Sequence, residues 1–146
     1  MKLEDIPTGA VVLIDSPAFI YLIDKDPAYF PAARSLFDRA KTGEITPIAS
    51  TLVLAELLVP YYKSGDTAKA NVISATLQSQ RDLEFVPVSP RIAERAARLR
   101  GLYGLHTPDA VHAATALHAR AGWLVTNDRK LRRVAAEGIQ IRLFDD

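Results

Sequence analysis

The stretch Ala10-Val11-Val12-Leu13-Ile14-Asp15-Ser16 is an uninterrupted apolar run that ends on an acid and a hydroxyl. A short run of this kind is typical of a parallel strand that is covered on both faces. Four further strands are predicted along the chain, at residues 45–49, 83–88, 123–126 and 139–144. Helical patterns separate the five strands, so the sequence predicts an α/β fold with a parallel sheet sandwiched by helices.

Several predicted helices begin at residues whose side-chain oxygens can accept hydrogen bonds from the first unpaired N–H groups. Asp26-Pro27 is predicted to open a helix that runs to Ala40, and a later helix is predicted from Asp109 to about residue 120. The predicted N-caps are Ser50, Asp66, Ser89, Thr107 and Asn127-Asp128. No Pro-, Gly- or Ser-rich linker divides the series, so residues 1–146 are predicted to form a single domain.

Composition excludes several classes of protein. The chain has 146 residues, of which 49% are hydrophobic and 24% charged, as in an ordinary globular domain. It has no cysteine, which excludes a disulfide framework, a thiolate zinc site and a cysteine nucleophile, and which fits a reducing compartment. No apolar segment reaches the roughly eighteen residues of a membrane-spanning helix, and residues 1–5 show no signal-peptide pattern. We therefore expect a cytoplasmic protein without a membrane partner.

Opposite charges nearly cancel over the whole chain but are unevenly distributed. Residues 1–73 carry seven Lys or Arg against nine Asp or Glu, whereas residues 74–146 carry eleven against eight. The first part therefore has a net charge of −2 and the second a net charge of +3. A basic half is compatible with a polyanionic partner but does not establish one.

Three acids occupy positions where strands end or helices begin. Asp15 follows the first strand, Asp109 starts a helix, and Asp128 follows the fourth strand with Thr126 and Asn127 beside it. Helix capping or the helix dipole can explain each acid by itself. Acids that were only caps would be scattered, whereas ligands of parallel sheets bind at the carboxyl ends of the strands. If these acids form a functional site, we therefore expect them to converge at that edge of the sheet.

Glu56 is the only charged residue from Thr46 through Tyr62. Either it lies on a narrow exposed stripe of its helix, or a cation holds it inward. Glutamate is rarely buried without a partner, because an isolated buried carboxylate loses its hydration or becomes protonated. We favour the second alternative, in which Glu56 joins the other three acids in one site.

A cluster of four carboxylates has a definite chemistry. Neighbouring carboxylates repel one another, and some take raised pKa values unless a cation lies between them. Carboxylate oxygens are hard ligands that select Mg²⁺ or Mn²⁺ over zinc or copper. Such a site suits phosphoryl chemistry, since the metal activates a water and stabilises the leaving oxygen.

Four segments resemble the motifs of PIN domains, and among these the VapC-type toxin nucleases of type II toxin–antitoxin pairs. They are VVLIDS at 11–16, STLVLAEL at 50–57, LHTPDAVHAA at 105–114 and LVTND at 124–128. Their order and spacing extend from the first strand to the last helix. The resemblance implies a PIN-like domain with a parallel sheet of about five strands sandwiched by helices, in agreement with the prediction from the residues.

The resemblance further implies an Mg²⁺- or Mn²⁺-dependent endoribonuclease that hydrolyses RNA phosphodiester bonds. The four acids, which would be catalytic and metal-binding, are Asp15, Glu56, Asp109 and Asp128. The first three would form the core of the metal site, and the fourth would aid a second metal or its waters. The polar residues expected to support them are Ser16, Thr126 and Asn127.

The resemblance also implies protein partners. Toxins of this type are held inactive by a cognate antitoxin, which covers the site with a segment that often places an arginine against the acids. They usually form homodimers. Candidate surfaces are the apolar helix at 52–62 and the helix at 67–77, although core packing accounts equally well for their apolar residues.

Basic and histidine side chains near the acids have alternative interpretations. The residues directly after Asp128 are predicted to contact RNA phosphates, which makes binding salt-dependent; a solvated helix face is the alternative. These residues are Arg129, Lys130, Arg132 and Arg133. His112 lies one helical turn after Asp109 and could hydrogen-bond that acid or an RNA phosphate, but we favour a surface or packing role.

Other functions remain open from the sequence. A housekeeping RNA-processing nuclease of the same fold, or a non-catalytic module that binds RNA or protein, could carry all four acids. Phosphoryl transfer through an aspartyl-phosphate is disfavoured. Dehalogenase-like phosphatases need a second Asp two residues after the first, where this chain has Pro17, and the acids and late Lys of a receiver domain cannot be placed.

Overall fold

The computed structural model describes residues 3–146. The strands are β1 (Val11–Ile14), β2 (Thr46–Ser50), β3 (Glu84–Val86), β4 (Trp123–Thr126) and β5 (Gln140–Leu143). The α-helices are α1 (Ser16–Ile23), α2 (Phe30–Lys41), α3 (Leu52–Lys63), α4 (Thr67–Gln78), α5 (Pro90–Tyr103) and α6 (Thr107–His118). A 3-10 turn at Leu3–Asp5 precedes β1, and a 3-10 helix at Arg129–Glu137 joins β4 to β5.

The five strands form one parallel sheet in the order β3-β2-β1-β4-β5. From β1 the chain moves outward to β2 and β3, and it then returns to place β4 and β5 on the other side of β1. The order therefore reverses between β1 and β4, and a sheet of this kind opens a crevice for ligands at that point. The α/β fold with a five-stranded parallel sheet is confirmed.

Residues of the central strands alternate between two apolar cores. Leu13 and Leu124 face a core that includes residues of α5 and α6. Val12, Ile14 and Val125 face the opposite core, which includes residues of α1, α2 and α3. Helices therefore cover both faces of the sheet, which explains why the strands are continuous apolar runs rather than alternating ones.

Side-chain caps begin three helical segments as predicted. The Asp66 carboxylate and the Ser89 hydroxyl each accept a hydrogen bond from the N–H group three residues later, over 3.1 and 3.2 Å. The Asp128 carboxylate accepts from the N–H group two residues later, over 2.9 Å. Each cap satisfies a donor that has no partner within its own helix.

The predicted start of α2 at Asp26 is wrong. The Asp26 carboxylate accepts hydrogen bonds from the N–H groups of Ala28 (2.8 Å) and Tyr29 (3.1 Å) and closes a turn there. The helix begins only at Phe30. An acid followed by proline favours a turn as well as a helix start, and here the turn prevails because the carboxylate bonds its own backbone.

The predicted starts of α3 and α6 are displaced. Ser50 ends β2, and although its hydroxyl accepts a hydrogen bond from the Leu52 N–H (3.1 Å), the N-cap position belongs to Thr51. Helix α6 begins at Thr107 instead of being capped by it; the extended residue before it, His106, makes no side-chain cap. Within residues 3–146, no helix is both long and apolar enough to cross a membrane.

Candidate functional site

Asp15 lies at the point where the strand order reverses, directly after β1. Its backbone N–H donates to the Val125 carbonyl (3.0 Å), which extends the pairing of β1 with β4. Its Oδ1 accepts from the Ser16 backbone N–H (2.7 Å), and its Oδ2 accepts from the Thr126 hydroxyl (2.7 Å). The residue is 4% exposed. Asp15 is therefore the N-cap of α1 and at the same time a buried carboxylate at the end of the central strand.

Glu56 reaches this position from α3, the helix that follows β2. Its Oε1 accepts a hydrogen bond from the Ser16 hydroxyl (2.8 Å) and is hydrogen-bonded to His112 Nε2 (2.5 Å). These two hydrogen bonds direct the carboxylate into the site rather than along an exposed stripe, although the side chain is still 33% exposed. Ser16 joins two of the acids, since its backbone N–H holds Asp15 while its hydroxyl holds Glu56.

Asp109 and Asp128 form a second pair of acids next to the first. Their carboxylates are close enough for the charge of Asp128 to act on Asp109. Burial first, and the charge of Asp128 second, raise the pKa of Asp109 from 3.8 to about 6. Thr126 links the pairs, because its hydroxyl donates to Asp15 and accepts from the Asp128 backbone N–H (3.1 Å). Asp109 also responds to the charge of Asp15, so the two pairs of acids are neighbours; the ligand atoms of Asp15, Glu56 and His112 lie within 4.8 Å of one another.

His112 contacts two acids of the site; of the two roles expected from the sequence, the surface role is wrong, and the packing role leaves out these contacts. It is 0% exposed, and its Nε2 lies between Glu56 Oε1 and Asp15 Oδ1, which is 3.3 Å away. Its Nδ1 has no hydrogen-bond partner within residues 3–146. The available signal was a lone histidine among the small and apolar residues 110–114, one turn after Asp109.

Burial and the contacts of His112 act in opposite directions on the pKa values of the first pair of acids. Burial is the largest effect on Asp15 and raises its pKa, although His112 and the hydrogen bonds to the carboxylate act against it. Burial also disfavours the charged form of Glu56, but the hydrogen bond and the positive charge of His112 outweigh it and lower the pKa. Burial lowers the pKa of His112 itself, yet the hydrogen bond to Glu56 and the charges of the surrounding acids raise it overall.

Asn127 and the basic residues after Asp128 differ in what holds them. The Asn127 amide donates to the Tyr21 hydroxyl (2.9 Å), away from the acids. Arg132 is paired with Asp146, and Arg133 donates to a backbone carbonyl. Within residues 3–146, Arg129 and Lys130 have no such partner and are exposed beside the site. Of the four side chains predicted to contact phosphates, two are therefore free, and the other two are held by contacts within the protein.

The four acids fit a hard divalent cation. Within the part of the chain that the structure describes, no Lys or Arg forms an ion pair with any of them, and the one cationic partner is His112. Four carboxylates with a single counter-charge leave an excess of negative charge, which raises pKa values when no metal is bound. Their oxygens are the donors that Mg²⁺ and Mn²⁺ prefer. The residues that could hold such an ion are Asp15, Glu56, Asp109 and Asp128.

The sheet is parallel and doubly wound, and the carboxylates lie at the point where its strand order reverses. These features define a class of protein, an α/β domain with an acidic site at the carboxyl ends of the central strands. The chain belongs to the PIN domain family, whose family model matches residues 12–137. The family membership expected from the four motifs is confirmed. A comparison with curated proteins gives no match.

Solved structures of toxin–antitoxin proteins share this fold. VapBC2 from Rickettsia felis, bound to a promoter DNA fragment, is 23% identical, with a TM-score of 0.69 over 91% of this chain and 98% of that one. DNA-bound VapBC from Salmonella typhimurium is 20% identical, with a TM-score of 0.70 over 92% and 98%. VapC20 from Mycobacterium tuberculosis, a sarcin-ricin loop cleaving toxin, is 16% identical, with a TM-score of 0.67 over 88% and 95%. At these identities the likeness shows the fold.

Proposed function

We propose that this chain is a metal-dependent endoribonuclease that hydrolyses RNA phosphodiester bonds at the four acids. The observation that carries the proposal is the convergence of carboxylates from β1, α3, α6 and the end of β4 without a Lys or Arg counter-charge within residues 3–146. Membership of the PIN domain family supports it. Holding one buried acid and three partly buried acids close together without a cation is costly, and structural stability offers no reason for it.

The roles proposed for the side chains follow from their contacts. Asp15, Glu56, Asp109 and Asp128 hold Mg²⁺ or Mn²⁺. When bound, such an ion supplies an activated water and stabilises charge on the leaving oxygen. Ser16 and Thr126 keep the acids in place through the hydrogen bonds described above.

The path of the RNA is proposed from the distribution of positive charge. Arg129 and Lys130 are exposed directly after Asp128, so their side chains can contact phosphates on either side of the scissile bond. Arg132 and Arg133 are already engaged within the fold and contribute less. Phosphate contacts of this type hold the strand in place without reading its sequence.

We further propose that the nuclease is the toxin of a type II toxin–antitoxin pair. Its fold is similar to that of VapC20 and of the toxins in VapBC complexes. A cleft of about 180 Å³ between α1 and α3 begins at Glu56 and is otherwise lined by Ile20, Ile23, Asp24, Leu57, Pro60 and Tyr61. An antitoxin segment with apolar side chains and an arginine fits there, since the cleft leads directly to the acids.

A homodimer is proposed through α3 and α4. Val59 and Tyr62 on α3 are 46% and 55% exposed, and Val72 on α4 is 64% exposed. Burying such side chains against a second copy removes apolar surface from water. Sedimentation equilibrium of the wild type and of Val72→Asp tests the dimer, and identical monomeric masses for both proteins would exclude it.

RNA cleavage in the presence of Mn²⁺ or Mg²⁺ tests the nuclease. Structured and single-stranded RNAs are incubated with wild type, with wild type in EDTA, and with Asp15→Asn. We expect cleavage by the metal-loaded wild type alone. Cleavage by Asp15→Asn at the wild-type rate would refute the assignment of the site. Growth arrest on expression of the wild type, absent with Asp15→Asn, tests the toxin role separately from the chemistry.

A further inference from the structure

Within residues 3–146, the His112 side chain makes its polar contacts with the acids of the site. Its ring is fully buried on α6, and its Nδ1 has no hydrogen-bond partner within residues 3–146. The other ring nitrogen, Nε2, is 2.5 Å from Glu56 Oε1 and 3.3 Å from Asp15 Oδ1. A histidine that served only to fill the core would bond a backbone carbonyl or a neighbouring hydroxyl, as buried polar groups usually do.

The hydrogen bonds to Glu56 all fall on one of its two oxygens. Ser16 Oγ and His112 Nε2 both approach Oε1, whereas Oε2 has no hydrogen-bond partner in the part of the chain that the structure describes. Two donors from different elements, one on α1 and one on α6, fix the plane and the direction of the carboxylate. The free oxygen is then available to a ligand, while a flexible Glu side chain would otherwise sample several rotamers.

We propose that His112 is a positioning residue, which holds Glu56 Oε1 through Nε2 so that Oε2 is presented to the divalent cation. The role rests on the proposed metal-dependent function, and it concerns how the site is held together rather than which residues bind the metal. Partners that orient a metal ligand in this way typically change metal affinity by about 10- to 100-fold when they are removed.

Mn²⁺ binding by titration calorimetry, without RNA, provides a readout that is independent of activity. We expect His112→Leu to raise the dissociation constant for Mn²⁺ by roughly 10- to 100-fold. His112→Gln restores an N–H donor toward Glu56 and is expected to bind within about threefold of wild type. The matched control is His118→Leu, the same substitution at the exposed end of α6, which is expected to leave Mn²⁺ binding unchanged.

Two further measurements separate positioning from other roles of His112. In a Glu56→Gln background, His112→Leu is expected to produce little additional loss of Mn²⁺ affinity, because His112 acts through Glu56. The electron spin-echo spectrum of Mn²⁺ bound to wild type is expected to lack the nitrogen coupling of a coordinated imidazole. A strong nitrogen coupling would overturn the proposal by making His112 a ligand, and this result does not depend on whether the Leu variant folds.

The failure of the proposal can be told apart from failure of the nuclease assignment. If wild type binds Mn²⁺ and cleaves RNA while His112→Leu binds Mn²⁺ equally well, the positioning role alone is overturned. If wild type binds no Mn²⁺, the metal site itself is overturned and the positioning role with it. Full losses in both the Leu and the Gln variants would also contradict the proposal, since the donor restored by Gln would then be irrelevant.

Discussion

Replacing Asp109 with Asn is expected to stabilise the metal-free protein at neutral pH. The pKa of Asp109 rises from 3.8 to about 6 in the folded state because of burial and the neighbouring Asp128. The folded state therefore binds more protons than the unfolded state between these two values. Wild-type stability falls as the pH rises through this window. The amide introduced by Asp109→Asn cannot ionise, so the variant avoids this loss of stability.

The magnitude follows from the pKa of Asp109 and from its partial burial. A rise of this pKa from 3.8 to about 6 corresponds to roughly 3 kcal/mol of folding free energy before solvent screening is considered. Because Asp109 is only partly buried, solvent screens the repulsion, and about half of that figure is a better expectation. The substitution also removes an acid from the first turn of α6, which costs a few tenths to about 1 kcal/mol. The net gain is about 1 kcal/mol, or about 3 °C in Tm.

Thermal unfolding in EDTA between pH 4 and pH 8 measures this effect. We expect Asp109→Asn to melt above wild type at pH 8 and the difference to disappear near pH 4, where Asp109 is protonated in wild type as well. The matched control is Glu94→Gln, which removes an exposed acid from α5 and is expected to shift Tm little at any pH. Added Mn²⁺ is expected to raise the Tm of wild type more than that of the variant.

The reasoning would be refuted by two outcomes. A lower Tm for Asp109→Asn than for wild type at pH 8 would mean that the charged form of Asp109 is favourable in the fold. An equal difference in Tm at pH 4 and pH 8 would mean that protonation of Asp109 plays no part. Stabilisation of this kind is common where a functional site is not optimised for stability.

Three further predictions concern the core, the hydroxyl between the acids and the RNA. Leu124 is fully buried on β4, and Leu124→Ala is expected to lower the free energy of unfolding in urea by about 2–5 kcal/mol. Leu102 is 60% exposed, and the control Leu102→Ala should change the free energy of unfolding by less than about 0.5 kcal/mol. Thr126→Val leaves Asp15 Oδ2 and the Asp128 N–H without their partner and should lower the free energy of unfolding by about 1–3 kcal/mol. Thr126→Ser keeps the hydroxyl and should retain most of the stability. Equal losses in the two variants would exclude the hydroxyl as the cause. Arg129→Gln and Lys130→Gln should each reduce the slope of log Kd for RNA against log salt by about 1 in EDTA, and an unchanged slope would remove them from the RNA path.

Local signals in the sequence were sufficient for the strands and for half of the predicted helix starts. Asp66 and Ser89 cap helices through N–H groups three residues later, so both partners lie in one short window of sequence. Asp26-Pro27 failed as a helix start because the same residues also favour a turn, and hydrogen bonds to Ala28 and Tyr29 decide between the two. The local sequence is compatible with a turn and with a helix start, and only the folded backbone distinguishes the two.

The candidate site was predictable to the extent that it lies at strand ends. Asp15 and Asp128 follow β1 and β4, and parallel pairing brings such residues to one edge. Glu56 was recognisable as an isolated charge in an apolar helix. His112 was missed because its partner Glu56 is 56 positions away, and its own neighbours in the sequence are those of an ordinary core helix.

The sequence by itself determined the strands, the order of strands and helices, and the four acids, because apolar periodicity and helix capping act over a few residues. Only the tertiary structure decided that β1 lies between β2 and β4 and that Ser16 and His112 meet on one oxygen of Glu56. It also decided that Arg132 is held by Asp146, whereas Arg129 and Lys130 have no such partner within residues 3–146. These pairings depend on how helices pack on the two faces of the sheet, and packing is set by the shapes of side chains that are distant in the sequence.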